Sequence, residues 1–445
     1  MAHPVLLLVA AGLLALAVFP AGSARAEEKP VLHYRVKVRL EPASHRLEAE
    51  VWIQHPPSSR FYLHPGLSVQ QVTADGKEAT FQADPAADPL PISAGTPVVV
   101  EAQDCQRLYV KYRGEIPEVV NGVNMLTPEL VELAYYSAWY PVFPGMINCT
   151  FEIEMDAPAG FVATTNGRPK DHREQAGRAI TIWESYQPGF DLVLLASPSL
   201  HCLEATVRDL RVEMYYSRLS EQSMREIRDG LVKGLTRLSD IYGPPTVSGV
   251  LRFVYSPRQG WGYSRIPLFV VPEAALQEFM SKEYGEARAL HGDCHEMSHF
   301  WWIVADASTP DDWINEGPAE YSAFRLSEER EGQAFAQVLI AEYQEHARAN
   351  HTTAAIVETD GSSPDRYINR YEKTTLMFLE ARKRFGQESL DKTLRSFYAR
   401  FAGTRQATTA AFLEEVKTQM RAGAEAFFRE TLYRKSEVEE PAGGT

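Results

Sequence analysis

The chain has 445 residues, 44% of them hydrophobic and 23% charged, a composition that suits a globular protein of roughly two to three domains. Its formal net charge is -14, and no Lys/Arg-rich block appears, which excludes nucleic acid as the expected partner. Leu6 to Phe19 is an apolar run, and Ala24-Arg25-Ala26 supplies a small-x-small pattern behind it. Residues 1–26 therefore read as a secretory signal peptide cut after Ala26. A single anchoring helix is the other reading, because only the α-amine and His3 precede the run. No later segment is long and apolar enough to span a bilayer. The expectation is a secreted or periplasmic protein with no stable membrane span after cleavage.

Residues 27–206 read as a β-sandwich. Val31 to Leu40, Arg46 to Gln54 and Arg107 to Tyr112 alternate apolar and polar residues. Shorter strand-like runs follow at Thr150 to Met155, Phe161 to Thr165, Ala179 to Glu184 and Leu192 to Ala196. Pro and Gly clusters at His55-Pro56-Pro57, Pro85 to Pro97 and Gly167-Arg168-Pro169 separate them, the spacing of a many-stranded sandwich. In an oxidising compartment Cys105, Cys149, Cys202 and Cys294 can form disulfides, with three full pairings open to them. Cys294 falls inside a predicted helix, where a buried free thiol is the simpler reading. Asn148-Cys149-Thr150 and Asn350-His351-Thr352 fit the N-glycosylation sequon.

Residues 207–435 read as a mainly helical domain with a small sheet, making the whole chain α+β. Val207 to Tyr216, Val250 to Tyr255 and Leu268 to Val271 are the predicted strands, with a helix over Glu221 to Tyr242. Helical patterns then cover Tyr284 to Ala305, Trp313 to Glu331, Gln333 to Ala349, Tyr371 to Phe385, Gln387 to Phe401 and Thr408 to Arg421. Residues 436–445 form a polar, Gly-rich tail that is expected to be disordered.

One motif carries chemistry. In His295-Glu296-Met297-Ser298-His299 the two histidines are four apart, so a helix places both on one face, where each can offer a ring nitrogen to one Zn²⁺. Glu296 is next to the first ligand and is placed to accept a proton from an attacking water. Chance alone gives such a pattern in roughly two of every hundred chains with this histidine content, so a second signal is needed. Trp313-Ile314-Asn315-Glu316-Gly317 supplies one: a helix–loop–helix return brings Glu316 back to the histidines, and His₂Glu is a recognised catalytic zinc set. Glu320, one turn further on the same face, is a candidate to accept the second N–H of a ligand histidine; a solvated surface carboxylate is its other reading.

These residues resemble the catalytic domain of the membrane alanyl aminopeptidase (aminopeptidase N) family of thermolysin-like gluzincins. The likeness rests on HEMSHFWW, on WINEGPAEY at 313–321 and on Tyr371-Glu372-Lys373, similar to the family's YEKG segment. Trp139 to Pro144 and the run TFEIEMDAPAGFVATTNG resemble the end of its N-terminal β domain. The resemblance covers about residues 30–435, without the family's larger helical C-terminal domain, which implies a more open cleft. It implies one Zn²⁺ per chain on His295, His299 and Glu316, and an oxyanion-donating phenol at Tyr371. A phenol suits that task, being a neutral donor to a developing negative charge. Sixteen residues separate His299 from Glu316 where the family has eighteen, and Thr374 replaces the Gly of YEKG. The Glu of the family's amine-reading GxMEN segment aligns with Tyr263, and Glu132 aligns loosely with a second amine-binding position. Arg265 at the cleft edge is a candidate for a substrate carboxylate, a surface arginine being the plainer reading. The expected activity is hydrolysis of peptides by a zinc metallopeptidase, foremost an aminopeptidase. The alternatives are a zinc endopeptidase and a non-catalytic zinc-binding relative.

Overall fold

The structure is a computed structural model and describes residues 31–435 apart from 91–92, 103, 118, 121, 146, 247–248 and 350–353. The expected signal peptide, the sequon at Asn350 and the tail at 436–445 lie outside the described residues. The N-terminal unit is built on an eight-stranded sheet, in the order Arg168–Gln175, Arg178–Glu184, Cys149–Pro158, Leu32–Glu41, Arg46–Gln54, Arg107–Glu115, Leu67–Ala74, Lys77–Glu78. Leu32–Glu41 runs parallel to Cys149–Pro158 and antiparallel to Arg46–Gln54. Strict alternation buries Leu32, Tyr34, Val36, Val38 and Leu40 on one face. Their cluster also takes in Phe61 and Val98 from a three-stranded sheet and Val131, Leu133 and Leu194 from a four-stranded one. This layered arrangement is the sandwich that the alternating pattern predicts.

The second unit opens on a five-stranded sheet, in the order His201–Val207, Leu210–Tyr216, Val250–Ser256, Leu268–Pro272, Tyr263–Arg265. Its three inner strands are parallel and both edges antiparallel. The stretch read as one strand from Val207 is a hairpin, turned at Arg208, whose φ is 52°. Its first strand straddles the expected boundary at 206/207, and Leu203 already belongs to the second core. Helix α1 (Glu221–Tyr242) makes the crossover between parallel strands, capped by Ser220, whose side chain accepts from the Ser223 N–H. Helices α2 (Glu273–Met280), α3 (Gly285–Ser298), α4 (Trp313–Glu331), α5 (Gln333–Ala349), α6 (Thr374–Phe385), α7 (Gln387–Phe401), α8 (Thr409–Gln419) and α9 (Ala424–Tyr433) follow. A π-helical turn, Ile368–Lys373, leads into α6. A Cβ at Gly230 would lie 2.5 Å from Leu290 Cδ2. That glycine lets α1 press directly on α3.

Three expectations need correction. Helix α3 stops at Ser298 rather than Ala305, because Asn315 Oδ1 accepts the N–H groups of Val304 and Ala305 at 2.9 Å each and draws the chain out of the helix. Helices α2 and α9 were not predicted; both are short and lack a long apolar repeat. Strands Arg60–Leu63, Leu67–Ala74, Thr96–Val100 and Arg168–Gln175 are among those missed, the last because all eight of its residues are exposed and no alternation marks it.

Arginines on and beside the second unit's sheet tie it to the first. Arg258 meets Glu132 through Nε and Nη2, the shortest contact 2.7 Å, with side chains 1% and 0% exposed. Arg265 meets Asp191 at 2.7 Å. Arg252 donates to the carbonyls of Thr165 and Gly167 as well as to Glu213. Removing one partner of a buried pair strands the other charge. Arg258→Ala should therefore cost about 3–5 kcal/mol. Arg237→Ala, breaking the exposed pair with Glu329, should cost less than about 1 kcal/mol. Urea midpoints measure both; equal losses would show that the Arg258 pair does not hold the two units together.

Candidate metal centre

Helix α3 carries His295 and Glu296 in its last turn, and His299 follows it in right-handed helical conformation, with φ -63° and ψ -10°. The i,i+4 relation therefore survives although the helix has ended. The two imidazole rings lie 5.0 Å apart at 90°. Glu316, in the first turn of α4, brings Oε2 to 3.4 Å from His295 Nε2 and 3.4 Å from His299 Nε2. The three donor atoms lie within 4.8 Å of one another, and all three residues are buried. A separation of 3.4 Å is the edge of a tetrahedron whose centre lies about 2.1 Å from each corner, the ligand distance of zinc. Glu316 Oε2 is buried and otherwise without a hydrogen-bond partner, as an oxygen reserved for an ion would be. The donor set, its spacing and this orphaned oxygen fit Zn²⁺.

The far nitrogens of both histidines are held. His295 Nδ1 lies 2.7 Å from Glu320 Oε2, and His299 Nδ1 lies 3.1 Å from the Trp302 carbonyl. Each contact favours a proton on Nδ1 and leaves Nε2 for the metal. Glu320 also receives His291 Nε2 at 2.9 Å and the Tyr343 hydroxyl. Burial alone would raise the Glu320 carboxyl, but the charge and hydrogen bonds of His291 and His295 hold it well below its ordinary value. Burial pushes Glu296 up, with the imidazoles opposing.

The returning loop is pinned around Glu316. Asn315 Nδ2 donates to Asp312 Oδ1 at 2.8 Å, and Asp312 Oδ2 takes the Arg370 guanidinium at 2.5 Å. Burial, then the charge of Glu316, raises Asp312 to about 7. Tyr371 sits in the π-helical turn with its ring stacked on His295 at 5.1 Å and on Tyr367 at 4.6 Å. Burial and the nearby carboxylates, Glu316 first, push its phenol well above the ordinary value, so it stays a donor. A Cβ on Gly317 would lie 2.6 Å from Thr374 Cγ2; only glycine lets α4 approach the turn this closely. Thr374 is not idle there, since its hydroxyl donates to the carbonyls of Asn369 and Arg370.

A cavity of about 120 Å³ opens beside the centre and is lined by His295, Glu296, Glu320 and Tyr371 among others. Tyr263, Arg265 and Glu132 do not line it. Glu132 is 0% exposed and is occupied by Arg258 and by the Ser256 hydroxyl at 2.6 Å. Arg265 is no surface residue: it is buried and committed to Asp191. Tyr263 is buried against Tyr136 and Trp261. His291 and Tyr343, which brace Glu320, were missed from the sequence. The signal for His291 was present, as His291, His295 and His299 repeat at intervals of four; Tyr343 has no such mark. All four cysteines are unpaired, with Cys294 buried in α3.

No family model and no curated protein matches this chain. Solved structures do. The M1 zinc metallopeptidase from Deinococcus radiodurans is similar at a TM-score of 0.63 and 19% identity, over 93% of this chain and 97% of that one. A mutant of it bound to Tyr-Ser-Ala substrate is similar at 0.64 and 19% identity, over 93% and 96%. Native yeast LTA4 hydrolase is similar at 0.60 and 14% identity, over 92% of this chain and 69% of that one. The chain shares the two-domain fold of M1 zinc metallopeptidases.

Proposed function

We propose that this chain is a secreted or periplasmic zinc-dependent peptidase. The observation that carries the reading is Glu316 Oε2 standing 3.4 Å from both His295 Nε2 and His299 Nε2, with Glu296 and Tyr371 lining one cavity beside them. His295, His299 and Glu316 would hold Zn²⁺, which when bound supplies a Lewis acid for the attacking water and the scissile carbonyl. Glu296 accepts the proton of the water and delivers it to the leaving nitrogen; its buried, raised carboxyl suits both halves of that transfer. Tyr371 donates its O–H to the oxyanion as the carbonyl becomes tetrahedral.

Removal of single N-terminal residues is the leading activity, supported by the likeness to a metallopeptidase bound to Tyr-Ser-Ala substrate. One observation favours internal cleavage. The two positions expected to read a free α-amine hold Tyr263 and a Glu132 already satisfied by Arg258 and Ser256. A peptide in free and N-acetylated forms separates them. Stepwise loss from the free form alone indicates an aminopeptidase; cleavage of the blocked form indicates an endopeptidase. If neither form is cut by zinc-loaded protein, the peptidase reading fails.

Glu296→Gln should lower kcat by about 10²–10⁴-fold with zinc content unchanged by metal analysis. Glu316→Ala should lose the metal itself. Tyr371→Phe should lower kcat by about 10²–10³-fold with little change in KM. A rise in KM at constant kcat would instead make Tyr371 a substrate-binding residue.

A further inference from the structure

Helix α3 holds a glycine that no neighbour requires. Close packing demands Gly230 and Gly317, but a Cβ built on Gly292 would meet nothing within 4 Å. Glycine is a poor residue inside a helix, and no contact compensates for it here. Arg288, Gly292 and Glu296 follow at intervals of four, on one face of α3. All three line the cavity beside the metal centre, and Gly292 is half-buried rather than enclosed. The absent side chain therefore leaves room directly beside Glu296. Phe279 of α2 and Tyr367, just ahead of the π-helical turn, are half-buried in the same wall, and the Tyr367 ring stacks on Tyr371. The other charges of the wall are matched among themselves. Both oxygens of Glu342 accept from Arg288, at 2.9 and 2.6 Å. Glu372 accepts from His346 at 2.7 Å, and Glu320 takes His291, Tyr343 and His295. What the cavity offers an occupant is ring surface and space.

We propose that this cavity is a specificity pocket for a large aromatic side chain, Phe or Tyr, next to the scissile bond, and that Gly292 is the residue that determines it; the proposal rests on the peptidase reading. The volume, about 120 Å³, is on the order of a cavity that holds a benzene ring. An alanine side chain would leave the space at Gly292 empty and forgo the contacts of Phe279 and Tyr367. A charged one would give up its water for a wall whose ions are already paired. Phe279, Gly292 and Tyr367 all lie outside HEMSHFWW, WINEGPAEY and Tyr371-Glu372-Lys373. The size of the pocket is thus set apart from the segments that carry the family resemblance.

Calorimetric titration of zinc-loaded Glu296→Gln protein with tripeptides Ala-X-Ala tests this without turnover, and places X on either side of a peptide bond. Phe and Tyr at X should bind about tenfold or more tightly than Ala, with Lys and Glu no tighter than Ala. Adding Gly292→Leu, which fills the opening with a better helix former, should bring Phe within about threefold of Ala while zinc content and Ala binding stay as they were. Gly292→Ala should fall between the two. Phe binding no tighter than Ala, or Lys tighter than Phe, in the Glu296→Gln protein would overturn the proposal, even if the leucine variant does not fold. So would a Phe preference that survives Gly292→Leu with zinc retained, or no binding of any tripeptide. Hydrolysis of the same peptides by the unmodified protein is read separately: the expected binding order without any cleavage would uphold the pocket and remove the peptidase reading.

Discussion

The molecule is organised around one carboxylate held in a dry place between two imidazoles. A buried Glu is unfavourable unless its surroundings answer its charge, and Glu316, 2% exposed, is answered from several directions. Two ring nitrogens face one of its oxygens. The loop that delivers it is closed by Asn315 and locked by the Asp312–Arg370 pair, whose side chains are 7% and 3% exposed. Arg370 belongs to the π-helical turn that presents Tyr371 one residue later. The same linkage therefore sets Glu316 and the Tyr371 phenol, and α3, the loop, α4 and the turn form a single unit.

Glu320 extends that unit outward. It lies against His295 and is in turn held by His291 and Tyr343, so α5 is coupled to the His295 ring through Glu320. On the sheet side a different chemistry operates. Arg258 and Arg265 are consumed in joining the two halves of the chain, along with the carboxylates they meet. Charges that the sequence offered as substrate-reading groups are spent on buried pairs. The helix side thus carries carboxylates lining a cavity beside the His295–Glu316 cluster, and the sheet side carries pairs already closed.

Much of this was legible before any coordinates. Alternation gave the long strands Leu32–Glu41, Arg46–Gln54 and Arg107–Glu115 because one face of each is solvated. The meeting of His295, His299 and Glu316 could be read because helix period and loop length constrain where they can lie. What escaped was tertiary in origin. Asn315 ends α3 by capturing backbone groups from across a loop, which no local propensity encodes. The π-helical turn at Tyr371 is followed by Thr374, which packs closely on Gly317 and looks like an unremarkable substitution until its hydroxyl is seen serving two carbonyls. Arg265 and Glu132 are polar residues that looked available; only the fold shows each one engaged.

The edge of the eight-stranded sheet has a consequence for the protein in concentrated solution. Arg168–Gln175 reads Arg-Pro-Lys-Asp-His-Arg-Glu-Gln, every residue exposed, and its register shifts between Pro169 and Asp171. An outermost strand with open backbone groups is a template for another chain's strand. Here the proline, the register shift and the mixed charges spoil that template. The largest sheet in the molecule thus ends in a border that resists joining sheet to sheet, a safeguard against aggregation that owes nothing to the chemistry at the other end of the chain.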